Sequence, residues 1–182
     1  MHKSDQELIA ELRQEGNTEL TFQLLVKKYQ ERLYWHIRKI VLDHDDTDDI
    51  LQNTFIKVWK NFGNFREESG LYTWLYRIAT NESLTFLNSK KRRSLLPMNE
   101  ANEFLLENLE ADPYFEGDKI QEKLQKAILK LPDKQRLVFN MKYFDNLKYN
   151  DMSEVLDTSV GALKASYHHA VRKIEDYLSK EE

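Results

Sequence analysis

Three aromatic side chains, an arginine and an amide crowd the stretch LYTWLYRIATN at residues 71–81: Tyr72, Trp74, Tyr76, Arg77 and Asn81. The basic run Lys90-Lys91-Arg92-Arg93 closes the same segment. Aromatic faces stack on unpaired bases within basic grooves, and cationic side chains neutralise phosphates. An amide can read the Watson–Crick edge of a base swung out of its duplex. The segment thus has the chemistry to hold single-stranded nucleic acid. The alternative is a helix whose aromatics are core and whose charged end is solvated. Projected at 100° per residue, Leu71, Trp74, Leu75, Ile78 and Ala79 fall on one side. Thr73, Tyr76, Arg77 and Thr80 fall on the other, with Asn81 near the boundary. The projection sends Trp74 to the core and leaves Tyr76, Arg77 and Asn81 as the better candidates; Tyr72 and the run Lys90, Lys91, Arg92 and Arg93 are candidate contacts beside them.

A second constellation precedes it. Asp48, Asp49, Gln52 and Asn53 share the side of a helix away from Phe55 and Val58, which suits a protein partner offering a basic helix. His44-Asp45-Asp46 with Asp48 and Asp49 has donor types that suit a divalent cation. No second histidine follows at i+3 or i+4, however, and acids at a helix start favour the helix dipole. No metal is assigned there. His168 and His169 diverge by 100° as helical neighbours and are no ligand pair either. A phosphate-cradling glycine loop, a nucleophile elbow and H-E-x-x-H are all missing. The expectation is a non-enzymatic chain without a cofactor.

The third constellation is at the C-terminal end. A short helix near 148–156, a turn at Asp157-Thr158-Ser159 and a longer helix to about Leu178 form a helix-turn-helix pattern. Val160, Leu163, Tyr167, Ala170, Ile174 and Leu178 pack the last helix. Ala162, Lys164, Ala165, Ser166, His168, His169, Arg172 and Lys173 are left facing outward, where such a helix meets the edges of bases in a major groove. A trihelical bundle with a merely solvated face has the same pattern.

These sites need an all-helical frame, and the composition supplies one. Of 182 residues, 41% are hydrophobic and 32% charged, with only five Gly and three Pro. Ser4 and Glu7 resemble a capping box opening a helix through about Glu15, stopped at Gly16. Further helices are expected over about 18–42, 47–62 and 71–91, with Asp43 to Asp49 as a break and Gly63 to Gly70 as a loop. Helices resume at about 119–131; Pro132 ends that one and Asp133 caps the next, about 133–144.

Net charge is −4, yet residues 94–118 contain seven acids and no Lys or Arg, which leaves the remainder at about +3. That acidic segment contains Pro97 and Pro113 and has no sustained periodicity. At ~3.3–3.6 Å per extended residue it reaches ~80 Å. It reads as a linker between a 1–93 bundle and a 119–182 helix-turn-helix unit. No apolar run is long enough to span a membrane, the N-terminus lacks an apolar signal core, and Cys is absent. A cytoplasmic protein is expected.

Taken together, TDDILQNTFIKVW (47–59), LYTWLYRIATN (71–81) and the stretch from Leu131 to Leu178 resemble regions two and four of bacterial extracytoplasmic-function (ECF) sigma factors. The likeness covers nearly the whole chain in the right order. It implies a subunit of RNA polymerase that directs promoter-specific initiation and needs no cofactor. Asp48, Asp49, Gln52 and Asn53 would dock the polymerase clamp coiled coil, and the flap is a further expected contact on the polymerase. The 64–81 loop and helix would open and read the promoter −10 element, with Asn81 and its neighbours gripping an extruded base. Lys90 to Arg93 would hold phosphates, and the 159–173 helix would read the −35 element. The acidic linker would thread polymerase channels otherwise used by RNA. An anti-sigma protein is expected by analogy. The family's recognition helix is usually richer in arginine around the positions of Ser166 and His169, and Ala162 stands where a threonine is common. His169 would then make −35 affinity pH-sensitive. The rival reading is a stand-alone helix-turn-helix regulator with an N-terminal sensor bundle.

Overall fold

The computed structural model describes residues 3–14, 18–94 and 119–180, and the regular elements among them are all helical. The chain divides into two compact units, residues 1–86 and 87–182.

In the first unit, Ser4 opens α1 (Asp5–Leu12) with the capping box expected of it: its side chain accepts from the Glu7 amide while Glu7 reaches back to the Ser4 amide. The expected stop at Gly16 lies outside the described residues. Leu8, Ile9 and Leu12 are buried against α2 (Thr18–Val41). Along α2, Leu25, Leu33 and Ile37 are fully buried, each contributing about 1.5–3 kcal/mol of burial free energy. Leu42 ends α2 in a left-handed conformation (φ 61°), donating its amide to the Arg38 carbonyl at 2.9 Å.

The expected interruption is confined to Leu42 and Asp43, and the rest of the acidic cluster lies inside the next helix. Asp43 is the N-cap of α3 (His44–Asn61), its carboxylate accepting from the Asp46 amide at 2.9 Å, so the helix starts three residues before the expected Thr47. Asp45 and Asp46 then sit in the first turn, where the helix dipole favours anions. Thr47, Thr54 and Val58 are fully buried, with Ile50 and Phe55 alongside. A single 3-10 turn (Phe62–Asn64) leads into a loop that ends at Gly70, where α4 (Leu71–Ser94) begins. Phe62 and Phe65 are buried and lie 6.1 and 4.9 Å from the Trp74 ring.

The second unit is built from α5 (Lys119–Leu129), α6 (Asp133–Tyr143), α7 (Tyr149–Leu156) and α8 (Val160–Leu178). Ala127, Ile128, Leu131, Phe139, Ala170 and Ile174 form its buried cluster, edged by Leu124, Tyr167 and Leu178. Asp133 does not cap α6. Pro132 holds the cap position, and Asp133, one residue further in, instead pairs with Arg136 at 2.9 Å. That pairing has a physical reason: the Arg136 side chain is only 7% exposed, and burial pulls its pKa down while Asp133 pushes it back up. At the turn between α7 and α8, Asp157 is left-handed (φ 48°) and Ser159 caps α8 by accepting from the Ala162 amide at 3.3 Å.

Candidate protein and nucleic-acid interfaces

Asp48, Asp49, Gln52 and Asn53 are all exposed on α3, as their spacing requires. Beside them runs an apolar groove between α2 and α3, lined by Phe22, Val26, Leu51, Phe55, Ile56 and Trp59, with Asp48, Asp49 and Gln52 on its wall. Ile56 (43% exposed) and Trp59 (47%) stand open to solvent. Phe22 props Trp59 edge-on at 4.9 Å. The sequence reading passed over these two. Their signal was available: two large apolar residues at i and i+3, out of phase with the core stripe. The surface can bury apolar area and offer carboxylates to a cationic partner at once. His44 is engaged locally, with Nδ1 2.7 Å from the Tyr34 hydroxyl and Nε2 3.7 Å from Asp48. Among the described residues no group of three His, Cys, Asp or Glu could hold a metal ion.

On α4 the projection needs correcting. Tyr76 is 1% exposed, and Thr73 and Thr80 are buried with it rather than facing out. The cause is α2, whose His36 ring lies 4.5 Å from Tyr76 and whose His36 Nε2 lies 2.8 Å from the Thr80 hydroxyl. Thr80 also donates to the Tyr76 carbonyl at 2.7 Å, so its hydroxyl is satisfied without water. Trp74 is half-buried, not enclosed. Arg77 and Asn81, one turn apart, are exposed as expected.

Tyr72 is half-buried and held on two sides. The Arg32 guanidinium lies 4.6 Å from its ring centroid and the Tyr76 ring 4.3 Å away. Arg32, from a different helix, is a cation at this site that linear spacing could not reveal. Of the basic run, Lys90 is half-buried and Arg92 exposed; the side chains of Lys91 and Arg93 lie outside the described residues. So do residues 95–118, and with them nearly all of the expected linker.

On α8, Leu163 and Ala170 are fully buried with Ile174 close behind. Ala162, Lys164, Ala165, His168, His169, Arg172 and Lys173 are exposed, and Ser166 is half-buried. A further cation joins this face from α6: the Lys142 and Lys164 ammonium groups lie 5.1 and 5.7 Å from the Tyr149 ring centroid. Partial burial raises the Tyr149 phenol pKa. An exposed helix face flanked by lysines can enter a groove of duplex DNA with cations toward phosphate.

Two family models match the chain: sigma-70 region 2 over residues 25–93 and sigma-70 region 4 over residues 121–174. The sequence is 32% identical over 184 residues to the RNA polymerase sigma-H factor of Pseudomonas aeruginosa, spanning 97% of this chain and 94% of that one. It is 28% identical over 187 residues to the ECF RNA polymerase sigma-E factor of Haemophilus influenzae, spanning 95% and 94%. Among solved structures, CnrH in complex with the cytosolic domain of CnrY aligns with a TM-score of 0.70 at 20% identity, over 99% of this chain and all of that one. The sigma factor RpoE of Bartonella quintana, crystallised with the anti-sigma factor NepR, aligns with a TM-score of 0.68 at 19% identity, over 87% and 96%. At these identities the structures speak for the fold alone.

Proposed function

The chain belongs to the ECF-type RNA polymerase sigma factors, and from that premise we propose which of its surfaces does what. As such a factor it binds core RNA polymerase and directs promoter-specific transcription initiation. Sigma factors are initiation factors rather than enzymes. The N-terminal region, taken as 1–93 and so extending beyond the compact unit that ends at residue 86, docks the polymerase through Asp48, Asp49, Gln52 and Asn53, and Ile56 and Trp59 join that surface. The observation that carries this assignment is the open apolar groove set directly against the carboxylates. Interfaces of lasting affinity combine a desolvated apolar centre with a charged rim.

Residues 64–81 open and read the −10 element. Tyr72, Arg77 and Asn81 face the DNA, with Tyr76 behind them as the buried support of Tyr72 rather than as a contact. Lys90 to Arg93 hold backbone phosphates. The 119–182 unit reads the −35 element with Ala162, Lys164, Ala165, Ser166, His168, His169, Arg172 and Lys173 and docks the polymerase flap. The 94–118 segment links the two as an acidic tether. The factor works in the cytoplasm; no helix among the described residues is long and apolar enough to cross a membrane. RpoE of Bartonella quintana is held by an anti-sigma factor, and a partner of that kind is assigned here by analogy. No observation favours a stand-alone regulator.

Run-off transcription with core polymerase and this protein on genomic fragments tests the assignment. The expected result is promoter-specific product that is lost with Asn81→Ala and with Trp59→Ala. With active core, unchanged product from both variants overturns the residue assignments.

A further inference from the structure

Arg13 joins two parts of the first unit that are far apart in sequence. It closes α1 as the C-cap residue, and its side chain runs to the loop between the 3-10 turn and α4. There Nη2 donates to the Phe65 carbonyl at 2.9 Å, while Nη1 pairs with the Glu67 carboxylate. One guanidinium thus grips the loop at two points, as its planar fork allows.

That loop is fixed at both ends and exposed in between. Phe65 is buried beneath Phe62 and Trp74, and the Gly70 carbonyl accepts from the Trp74 amide at 3.1 Å. Arg66, Glu67 and Glu68 between them are exposed. Glu67 takes a left-handed conformation (φ 58°), which side chains other than glycine adopt rarely and keep only where surrounding contacts hold them. Arg13 supplies such a contact. Its own base is firm: Asp5 accepts from Tyr29 at 2.6 Å and from Lys28 at 2.7 Å, and Glu11 accepts from Thr21 at 3.0 Å. These bonds, with buried Leu8, Ile9 and Leu12, fasten α1 to α2.

Charge points the same way. A loop carrying Glu67 and Glu68 is poorly suited to approach a polyanion, and a guanidinium on Glu67 offsets that repulsion. We propose that Arg13 is a positioning residue for −10 recognition: α1 is a strut, and Arg13 at its end sets the shape and charge of the 65–70 loop. The proposal rests on the reading of residues 64–81 as the −10 element's reader.

The test uses full-length protein with core polymerase on promoters varied singly at each −10 position, with a parallel set varied at −35. Losing a two-point charge-assisted contact should lower output from the best −10 sequence about five- to tenfold with Arg13→Ala. It should also narrow the ratio between best and substituted −10 promoters while leaving the −35 ratios unchanged. Arg13→Lys, a point charge without the fork, should recover an intermediate −10 ratio. Glu67→Gln should add little in the Arg13→Ala background, because the two act as one unit. A merely structural role would scale all promoters by one factor, and that result, or no change at all, overturns the proposal. Glu68→Ala with Ser69→Ala separates the two ideas. If that pair and Asn81→Ala all leave −10 ratios unmoved, residues 64–81 are not the reader and both readings fall; if they move them while Arg13→Ala does not, only the role of Arg13 falls.

Discussion

The guanidinium of Arg32 on α2 lies 4.6 Å from the Tyr72 ring centroid on α4, and its Nη2 donates to the Tyr72 hydroxyl at 3.4 Å. Tyr76 packs near the same ring at 4.3 Å, so Tyr72 is oriented by one residue from each helix. A cation–π contact of this kind is worth about 0.5–1 kcal/mol at an exposed site. Arg32→Ala should therefore reduce promoter opening a few-fold, whereas Tyr72→Phe, which keeps the face and loses only a long hydrogen bond, should stay near wild type. Permanganate reactivity of −10 thymines in the holoenzyme complex measures this, and equal reactivity for wild type and Arg32→Ala would refute it.

Removing the indole that crowns the α2–α3 groove should weaken polymerase binding. Trp59→Ala at the centre of such an interface typically costs ~2 kcal/mol or more, about thirtyfold in Kd. Asp48→Asn with Asp49→Asn should act differently, mainly slowing association and flattening its salt dependence. Competition for core enzyme against a labelled sigma factor at two ionic strengths separates these effects. The idea is lost if Trp59→Ala competes as well as wild type.

Alkali should destabilise the first unit through Tyr29. Burial, then the hydrogen bond to Asp5, raises its phenol far above the ordinary value of 10.0. In the folded chain Tyr29 keeps its proton at pH values where the unfolded chain has lost it. The sign follows: its contribution is complete below pH ~10 and declines as pH rises beyond that, because the unfolded state then binds fewer protons. Urea unfolding at pH 8 to 11 should show a slope in wild type that is shallower in Tyr29→Phe. Identical slopes would count against it.

Trp74→Ala should destabilise less than a core tryptophan would. Full burial predicts ~3–5 kcal/mol, and a half-buried ring packed on Phe62 and Phe65 should cost roughly 2. Denaturant midpoints decide, and a loss above ~4 kcal/mol would mean the ring carries more of the core than its exposure suggests.

His169 stands exposed on α8, where the likeness to the family led to the expectation of an arginine. His169→Arg should therefore gain about 1–3 kcal/mol for −35 duplexes that place guanine beneath it, through a bidentate contact, with little change elsewhere. A gain of the same size on every duplex would indicate phosphate contact instead.

The contrast between α8 and α4 shows what the amino-acid pattern could and could not reveal. On α8 one stripe is buried, so a 3.6-residue period sorts Leu163, Ala170 and Ile174 inward and His168, His169 and Arg172 outward. On α4, polar residues are buried too. Thr80 and Ser83 bond back to the Tyr76 and Ala79 carbonyls, and His36 meets Thr80 from α2. A projection that treats hydroxyls as solvent-seeking puts such residues on the wrong side. Asp43 has a related ambiguity: a capping residue and a helix breaker have the same composition, and the accepted Asp46 amide fixes where α3 starts. Arg32 beside Tyr72 and Arg13 on Phe65 were beyond reach altogether, since each partner lies 40 or more residues away.

The acidic start of α3 has one more effect, on traffic rather than on fit. Asp45, Asp48 and Asp49 project into solvent within two turns of the open groove. At physiological ionic strength their field extends about 8 Å. A stray RNA or DNA strand drifting onto this face meets repulsion before it meets Trp59 or Ile56. If this face docks the polymerase, that repulsion would disfavour nucleic acid at the groove and leave it to a protein visitor.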